Sequence, residues 1–387
     1  MRESRVWEID CRTLTWLTRP VSRRNVLRAG GGALLGATLL GGLVGCGGSD
    51  EPAASGAGAA DSGGKPGEGK TIALSLNGLN TFDQDLAEGC LKALAGTSYK
   101  FIGAQAGFDA QQEVDNIRQL IARQPDGLIV LAASADGAAR AAQAASRAGI
   151  PVVTTIWFPV SKEADSVYYA ATQLETDRGG QLTVDFIAKD QGIEEGDILE
   201  ITGLDAQPFT EGFKQGLRAA LKGAPGLKIA ASQQGFYTAD GALKALRPML
   251  AANPKAKVII DYAAEMGVAI AQELQRQGRK DIVHITSDIN DRSAEWLKRD
   301  DGAYLKAARW YSPGSEGIVC TNILRNKIEK DEAPTDANLG QEGYTVKAGT
   351  SEPTVINIRQ EMATGKNIDQ LPPPGYQEFA KQIPFGA

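Results

Sequence analysis

Aromatic residues make up only 6% of this 387-residue chain, yet they gather beside carboxylates and amides in a few short runs. Asn80-Thr81-Phe82-Asp83, Thr155-Ile156-Trp157-Phe158, Gln207-Pro208-Phe209, Phe236-Tyr237, Asp261-Tyr262 with Glu265, Ser287-Asp288 with Asn290, and Arg309-Trp310-Tyr311 are such runs. An aromatic face packs on apolar C–H surface, while Asp, Asn and Gln exchange hydrogen bonds with hydroxyls. That mixture suits a polyhydroxylated ring. The residues expected to meet it are Asn80, Phe82, Trp157, Gln207, Tyr237, Tyr262, Glu265, Asp288, Trp310 and Tyr311. Covalent chemistry is less well served. Asp261 and Glu265 have the spacing of an acid–base pair, but hydrogen bonding or a solvated helix start accounts for them more simply. The single histidine, His284, sits in the apolar run Ile282-Val283-His284-Ile285 and reads as a core residue. Neither a nucleophile elbow nor a His/Cys metal spacing occurs. The chain is read as a non-enzyme with no cofactor and no metal.

The elements that must position these residues alternate. Short Val/Ile/Leu runs predict strands at Ile72–Leu76, Tyr99–Ala104, Gly127–Leu131, Pro151–Ile156, Ser166–Ala170, Asp197–Thr202, Lys228–Gln233, Lys257–Tyr262, Asp281–Ser287 and Ala303–Trp310. Helical periodicity lies between them, for example over Asp109–Arg123, Gly137–Ala148, Asp177–Lys189, Glu211–Leu221, Ala239–Ala252 and Glu265–Gln277, with Asp109, Asp136, Asp177 and Thr210 as candidate caps. Strand–helix alternation implies parallel sheets with right-handed crossovers. The stretch Arg118–Gly149 also echoes Arg247–Gly278 in register. Arg118, Leu120, Ala122, Pro125, Ala142, Gln143, Arg147 and Gly149 return as Arg247, Met249, Ala251, Pro254, Ala271, Gln272, Arg276 and Gly278. Two copies of one βαβα unit follow, with a ligand site expected between two similar lobes, beyond the carboxyl ends of their strands.

The first residues have a different character. Arg23-Arg24 and Leu27 precede the apolar run Ala33–Val44, which ends Leu43-Val44-Gly45-Cys46. A charged segment, a short apolar run and small residues before a cysteine make an export signal, here twin-arginine-like with a lipobox, over residues 1–45. The apolar run is too short and Gly-rich to span a membrane comfortably. Cys46 becomes the lipidation site, and the Gly/Ser/Ala/Pro-rich residues 46–69 a flexible tether. The net charge of −6 becomes more negative once residues 1–45, with Arg2, Arg5, Arg12, Arg19, Arg23, Arg24 and Arg28 against three acids, are removed. That argues against nucleic acid as a partner. Of the four cysteines, Cys90 and Cys320 then remain, either as a disulfide that export permits or as two buried thiols.

Read in order, Asn80-x-Phe82, Ala87-Glu88-Gly89, Pro125-Asp126-Gly127-Leu128-Ile129-Val130, Ala148-Gly149-Ile150-Pro151-Val152-Val153-Thr154, Glu211-Gly212-Phe213, Ala231-Ser232-Gln233, Asn253-Pro254, Glu265-Met266 and the strand ending at Asp288 resemble the periplasmic sugar-binding proteins of the ribose/galactose type, type I solute-binding lipoproteins of ABC importers, over residues 70 to 365. The resemblance implies an α/β fold of two Rossmann-like lobes with parallel sheets joined by three hinge crossovers. It places residues 70–174 plus 312–345 in the N-terminal lobe, 175–311 plus 346–370 in the C-terminal lobe, and 371–387 in a tail. It implies capture of a sugar or related small molecule, delivery to ABC permease subunits, and an exported chain lipid-anchored on the outer face of the membrane, in the periplasm or at the cell surface. A tethered sensor reporting occupancy to a membrane receptor shares the same fold and cleft. By this resemblance Asn80 and Phe82 contact the sugar from the first lobe, Tyr237 is a cleft aromatic, Asp288 binds hydroxyls, and the segment ending Trp310-Tyr311 is a hinge that adds a polar contact. The chain departs where related sugar binders carry Asp and Arg after Pro-Val-Val-Thr, having Ile156 and Trp157, and where they carry Arg before Glu-Gly-Phe, having Gln207. Those losses remove charge-assisted bonds and point away from a simple aldose toward a larger, less polar or differently oxidised ligand.

Overall fold

The computed structural model describes residues 6–18, 67–156, 168–205, 207–349 and 353–384; Cys46 and Trp157 lie outside them. The chain enters as β1 (Trp7–Asp10) and a 3-10 turn over Cys11–Thr18. It then builds β2 (Thr71–Leu76), α1 (Thr81–Leu94), β3 (Lys100–Gln105), α2 (Ala110–Ile121), β4 (Gly127–Leu131), α3 (Ala135–Arg147), β5 (Val152–Thr155) and β6 (Ala170–Leu174). Through α4 (Thr176–Asp185) it crosses to a second sheet: β7 (Gly196–Thr202), α5 (Pro208–Leu221), β8 (Leu227–Gln234), α6 (Ala239–Ala252), β9 (Val258–Asp261), α7 (Ala264–Gln277), β10 (Val283–Ser287), α8 (Asp291–Lys298) and β11 (Ala307–Trp310). It returns through α9 (Pro313–Lys330) and α10 (Asp336–Leu339) to β12 (Tyr344–Val346) and β13 (Thr354–Ile358), and crosses a third time to β14 (Glu361–Ala363).

The first sheet runs β1-β3-β2-β4-β5-β6-β13-β12 and the second β14-β11-β10-β9-β7-β8. From β3 to β6 and from β8 to β11 all neighbours are parallel and the order is the same, with the first strand between the second and third. The internal sequence echo falls on equivalent elements: Arg118–Gly149 holds the end of α2, β4 and α3, and Arg247–Gly278 the end of α6, β9 and α7. β2, β4, β5, β9, β10 and β11 are buried almost throughout, as their apolar runs require, whereas the edge strand β8 (Leu227–Gln234) is half exposed.

Several boundaries differ from those the pattern predicts. β6 lies at Ala170–Leu174 rather than Ser166–Ala170, because Thr172 and Gln173 break the apolar signal. The last strand of the second lobe begins at Ala307, after two left-handed residues, Asp300 and Asp301. Asp109 caps α2 as expected, accepting from the Gln111 and Gln112 amides. α5 instead starts at Pro208, whose fixed φ suits a first helical position, so Thr210 is interior and bonds the Tyr237 hydroxyl at 2.6 Å. α3 and α4 likewise begin before Asp136 and Asp177. Residues 354–358, expected in the second lobe, pair with β6 in the first sheet over five positions; within residues 346–370, strand β14 joins the second. The expected tail is packed as well: Phe379 and Ile383 are buried in the first-lobe core, and Pro374 O accepts from the Gly314 amide at 2.8 Å.

Cys90 and Cys320 are free, buried thiols rather than a disulfide. They lie on α1 and α9, which meet through glycines: a Cβ on Gly89 would fall 1.9 Å from Gly314 O, and one on Gly317 2.1 Å from Leu86 O. At that approach the Cys90 thiol turns to the Gly317 carbonyl, and both cysteines behave as small core residues.

The segment before the paired arginines is also part of the fold. β1 pairs antiparallel with β3, Trp7 opposite Gly103 and Asp10 opposite Lys100. Trp7 lies where a Cβ on Gly103 would be and packs edge-on against Phe101, while Ile9, Cys11 and Leu14 enter the first-lobe core. The Cys11 amide donates to Tyr99 O and Cys11 O accepts from Gly96. In the uncleaved chain, Trp7→Ala should cost about 3 kcal/mol, the usual toll of emptying a buried aromatic site, read as a shift of the denaturation midpoint. An unchanged midpoint would show that β1 is not docked.

Candidate ligand-binding cleft

In each sheet the connections leave in opposite directions around the first strand, opening a crevice at the carboxyl ends of the first and third strands. β2 and β4 end at Leu76 and Leu131 and run on into Asn77 and Ala132; β7 and β9 end at Thr202 and Asp261 and run on into Gly203 and Tyr262. Asn77, Ala132 and Tyr262, with the loop that follows β7, line one open-mouthed cavity. Asn80, Phe82, Gln207, Tyr237, Tyr262, Asp288 and Tyr311 all line it. So do Asn77, Asp83, Phe108, Thr155, Ile156, Phe209, Arg309 and Gln360.

Backbone strain concentrates here. Phe108, Ile156, Tyr237 and Asp288 have φ between 47° and 64°, a left-handed conformation that non-glycine residues adopt at a cost. For β-branched Ile156 that cost is highest, and a buried carboxylate offsets it. Ile156 N donates to Glu316 Oε1 and Thr172 Oγ1, each at 3.2 Å. Burial pushes the Glu316 carboxyl up to about 7. Other cleft loops are fastened the same way. Glu113 accepts from Ala133 N at 2.7 Å and Ser134 N at 3.3 Å after β4, burial pushing it up to about 7. Asp83 accepts from Asn80 N at 2.9 Å, and Asp288 from Ala264 N at 2.6 Å. Glu200 accepts from the Tyr262 hydroxyl at 2.6 Å, from Ser232 and from Arg218.

The lobes touch across the cleft mouth. Glu265 Oε1 accepts from Thr81 N at 3.0 Å and Thr81 Oγ1 at 2.5 Å, and Asn290 Nδ2 donates to Thr81 Oγ1 at 3.3 Å. Phe108 stacks on Tyr237 with ring centres 6.0 Å apart. At the crossovers, Gln360 donates to Glu175 O at 2.9 Å, tying the third to the first.

Two expected contacts lie off the cavity wall. Glu265 serves the interlobe bond. Trp310 is buried in the second-lobe core, because alternation along β11 turns its neighbour Arg309 toward the cavity instead. Tyr262 presents its ring while Glu200 holds its hydroxyl. Trp157 is outside the described residues. Phe108 and Gln360 were missed by sequence reasoning: Gln360 follows a strand that the pattern did not predict, and Phe108, though it follows the predicted strand Tyr99–Ala104, reaches the cavity through a left-handed turn after Gly107 that leaves no sequence signature. Arg309 was visible within its run, but its role was masked by the two aromatics beside it.

Asp261 and Glu265, the acid–base candidates, bond to different partners rather than to each other. Asp261 is engaged by His284 Nε2 and Thr286 Oγ1, each at 2.7 Å, and His284 Nδ1 meets Tyr304 O. Gly64 to Thr71 spells the Gly-x-x-x-x-Gly-Lys-Thr phosphate-loop pattern. Such a loop follows a strand and opens a helix, whereas here Thr71 begins β2 and Lys70 pairs with Asp126 at 2.9 Å. Among the described residues no cluster of His, Cys, Asp and Glu could hold a metal ion.

Asp83 has no solvent exposure, and burial pushes its carboxyl up to about 8, against the pull of the Asn80 amide and with a further push from Glu265. An unfolded Asp titrates near 4. Between about pH 4 and 8 the folded chain therefore holds a proton that the unfolded chain has lost, and stability from this group falls as pH rises. Asp83→Asn keeps an acceptor for the Asn80 amide without titrating. Melting curves at about pH 5 and 8 should show a smaller drop in Tm for the variant than for wild type; equal drops would remove Asp83 from the account.

A family model described as a periplasmic binding protein domain matches residues 72–332. Solved structures share the fold. An ABC transporter solute-binding protein from Burkholderia graminis, in complex with D-arabinose, is 20% identical over 79% of this chain and 98% of its own, with a TM-score of 0.66. One from Bacillus halodurans with bound myo-inositol is 17% identical over 79% and 98%, TM-score 0.66. The fructose-binding periplasmic domain of a hybrid two-component system is 17% identical over 77% and 91%, TM-score 0.65.

Proposed function

The chain belongs to the periplasmic binding protein family, and from that premise we propose that it captures a small polyhydroxylated ligand, a sugar or related compound, between its lobes for delivery to an ABC importer. The observation that carries this reading is the cavity at the two facing switch points. Phe82, Phe108, Tyr237 and Tyr311 supply flat apolar surface, while buried Asn77 Oδ1, Asp83 Oδ1, Thr155 Oγ1 and Arg309 Nε make no hydrogen bond among the described residues. Buried polar atoms of that kind are costly unless something bonds them, and hydroxyls do so. The sugar-bound solute-binding proteins of the same fold are in keeping with that class of ligand. No covalent step is needed: closure of the lobes on the ligand is the whole reaction.

We further read Cys46 as the lipidated first residue of the mature chain, held to the outer face of the membrane by residues 46–69. Among the described residues no helix is long and apolar enough to cross a membrane, so anchoring by lipid is the arrangement that keeps such a chain beside its permease. The fold shared with a two-component sensor domain favours a second reading, in which the occupied protein reports to a membrane receptor. Co-purification of the anchored protein with a nucleotide-hydrolysing permease or with a receptor kinase separates the two.

A thermal-shift screen across neutral sugars, polyols, nucleosides and sugar acids tests capture. A true ligand at 100 times its Kd should add about 2.7 kcal/mol of stability. Asp288→Ala should weaken that ligand about ten-fold or more, since it strips a polar group from the cavity wall. No shift with any compound would defeat the reading.

A further inference from the structure

Arg309 has no counterpart in the expectations drawn from related sugar binders. It stands at the end of β11, is 3% exposed, and lines the cavity. Its guanidinium lies over the Phe213 ring, with Tyr262 beyond. One amino group, Nη2, donates to Ser287 Oγ, and Nε finds no acceptor. Arg309 forms no ion pair among the described residues. A desolvated cation without a counter-charge is a heavy cost to a fold, and proteins that keep one in a binding cavity commonly meet the missing charge with the ligand.

The other ionisable groups on the wall do not supply it. Asp83 and Asp288 are both buried, and burial raises each carboxyl, to about 8 for Asp83 and well above the usual range for Asp288, where Glu265 adds to the effect. Asp83 therefore holds its proton at neutral pH. Burial also lowers Arg309, but only to about 9, with Asp261 and Asp288 nearby favouring its charged form, so it remains a cation there. Asp261, the next carboxylate, is engaged with His284 and Thr286. The described wall therefore presents an unpaired guanidinium beside aromatic faces and hydroxyl-bonding groups.

We propose that Arg309 anchors a carboxylate, so that the cleft selects a sugar acid, an aldonate or uronate, over the neutral sugar of the same carbon frame. The inference rests on the capture reading and narrows its ligand. A guanidinium matches a planar carboxylate in shape and charge. A phosphate would bring a second charge, for which the described wall offers no second cation. Ile156 and Gln207, standing where related proteins carry charged residues, leave Arg309 as the one cation on the wall among the described residues.

Titration calorimetry on the full chain decides this with matched series: glucose, gluconate, glucuronate and glucose 6-phosphate, and the corresponding galactose and arabinose sets. In at least one frame the acid should bind about 30-fold or more tighter than the neutral sugar. Arg309→Met should erase that preference without lowering the Tm of the unliganded protein, because it removes a buried, uncompensated charge. Arg309→Lys should keep part of it. A neutral or phosphorylated member binding tightest, or a preference unmoved by Arg309→Met, overturns the inference while leaving capture standing. Should the Met variant not fold, the wild-type ranking alone decides. If no member of any series binds, and the wider screen is silent too, capture itself fails and this inference falls with it.

Discussion

A polar group buried in this protein must find a partner or give up its charge, and the cleft is built out of that constraint. Parallel sheets covered on both faces leave only their strand ends to carry polar chemistry. At most of those ends a buried carboxyl fastens the loop: Glu113 beyond β4, Glu316 beyond β5, Glu200 through Tyr262 beyond β9, Asp83 at the start of α1, and Asp288 reaching to α7. Each accepts from a neighbouring amide or hydroxyl and so fixes a loop that its own φ and ψ would not hold. Left-handed Ile156 persists because Glu316 and Thr172 hold its amide. The cavity wall is thereby set before any ligand arrives, which lowers the ordering cost of binding.

The frame was legible in the sequence because its signals are periodic. Unbroken apolar runs announce buried strands, and the echo of Arg118–Gly149 in Arg247–Gly278 announces a repeated unit, which the two sheets display as one strand order used twice. The site was legible only in part. Asn80, Phe82, Gln207, Tyr237 and Asp288 directly follow predicted strands, so the rule about strand ends finds them. Phe108 and Gln360 reach the cavity by a turn and by a crossover, neither of which has a periodic signature. Trp310 and Arg309 are adjacent, and which one faces inward depends on the register of β11, a tertiary fact. Residues 354–358 joined the first sheet for a similar reason: the alternation of a short strand does not say which of two sheets receives it.

The departures from related sugar binders and the placement of Arg309 are two sides of one arrangement. A charged pair on one lobe is replaced by apolar surface at Ile156, and a lone guanidinium appears on the other lobe, among aromatic rings. Exchanging a compensated pair for a single cation changes what the cavity asks of its ligand from many hydroxyls to one charge. The aromatic packing around Arg309, Phe213 and Tyr262 keeps the group from swinging to a distant carboxylate, so the demand is fixed in place.

If residues 1–45 are a leader, as proposed, the edge strand before the paired arginines gives it a conformational role of its own. Processing before Cys46 would remove β1 together with the rest of the leader, leaving the backbone donors and acceptors of β3 along Lys100–Gly103 facing water. Precursor and product would then be different proteins at that edge, the first closed and the second open to strand addition. The same four residues that complete the sheet in the full chain would, once gone, leave an adhesive seam on the processed molecule, and any neighbour offering a free strand would meet it first.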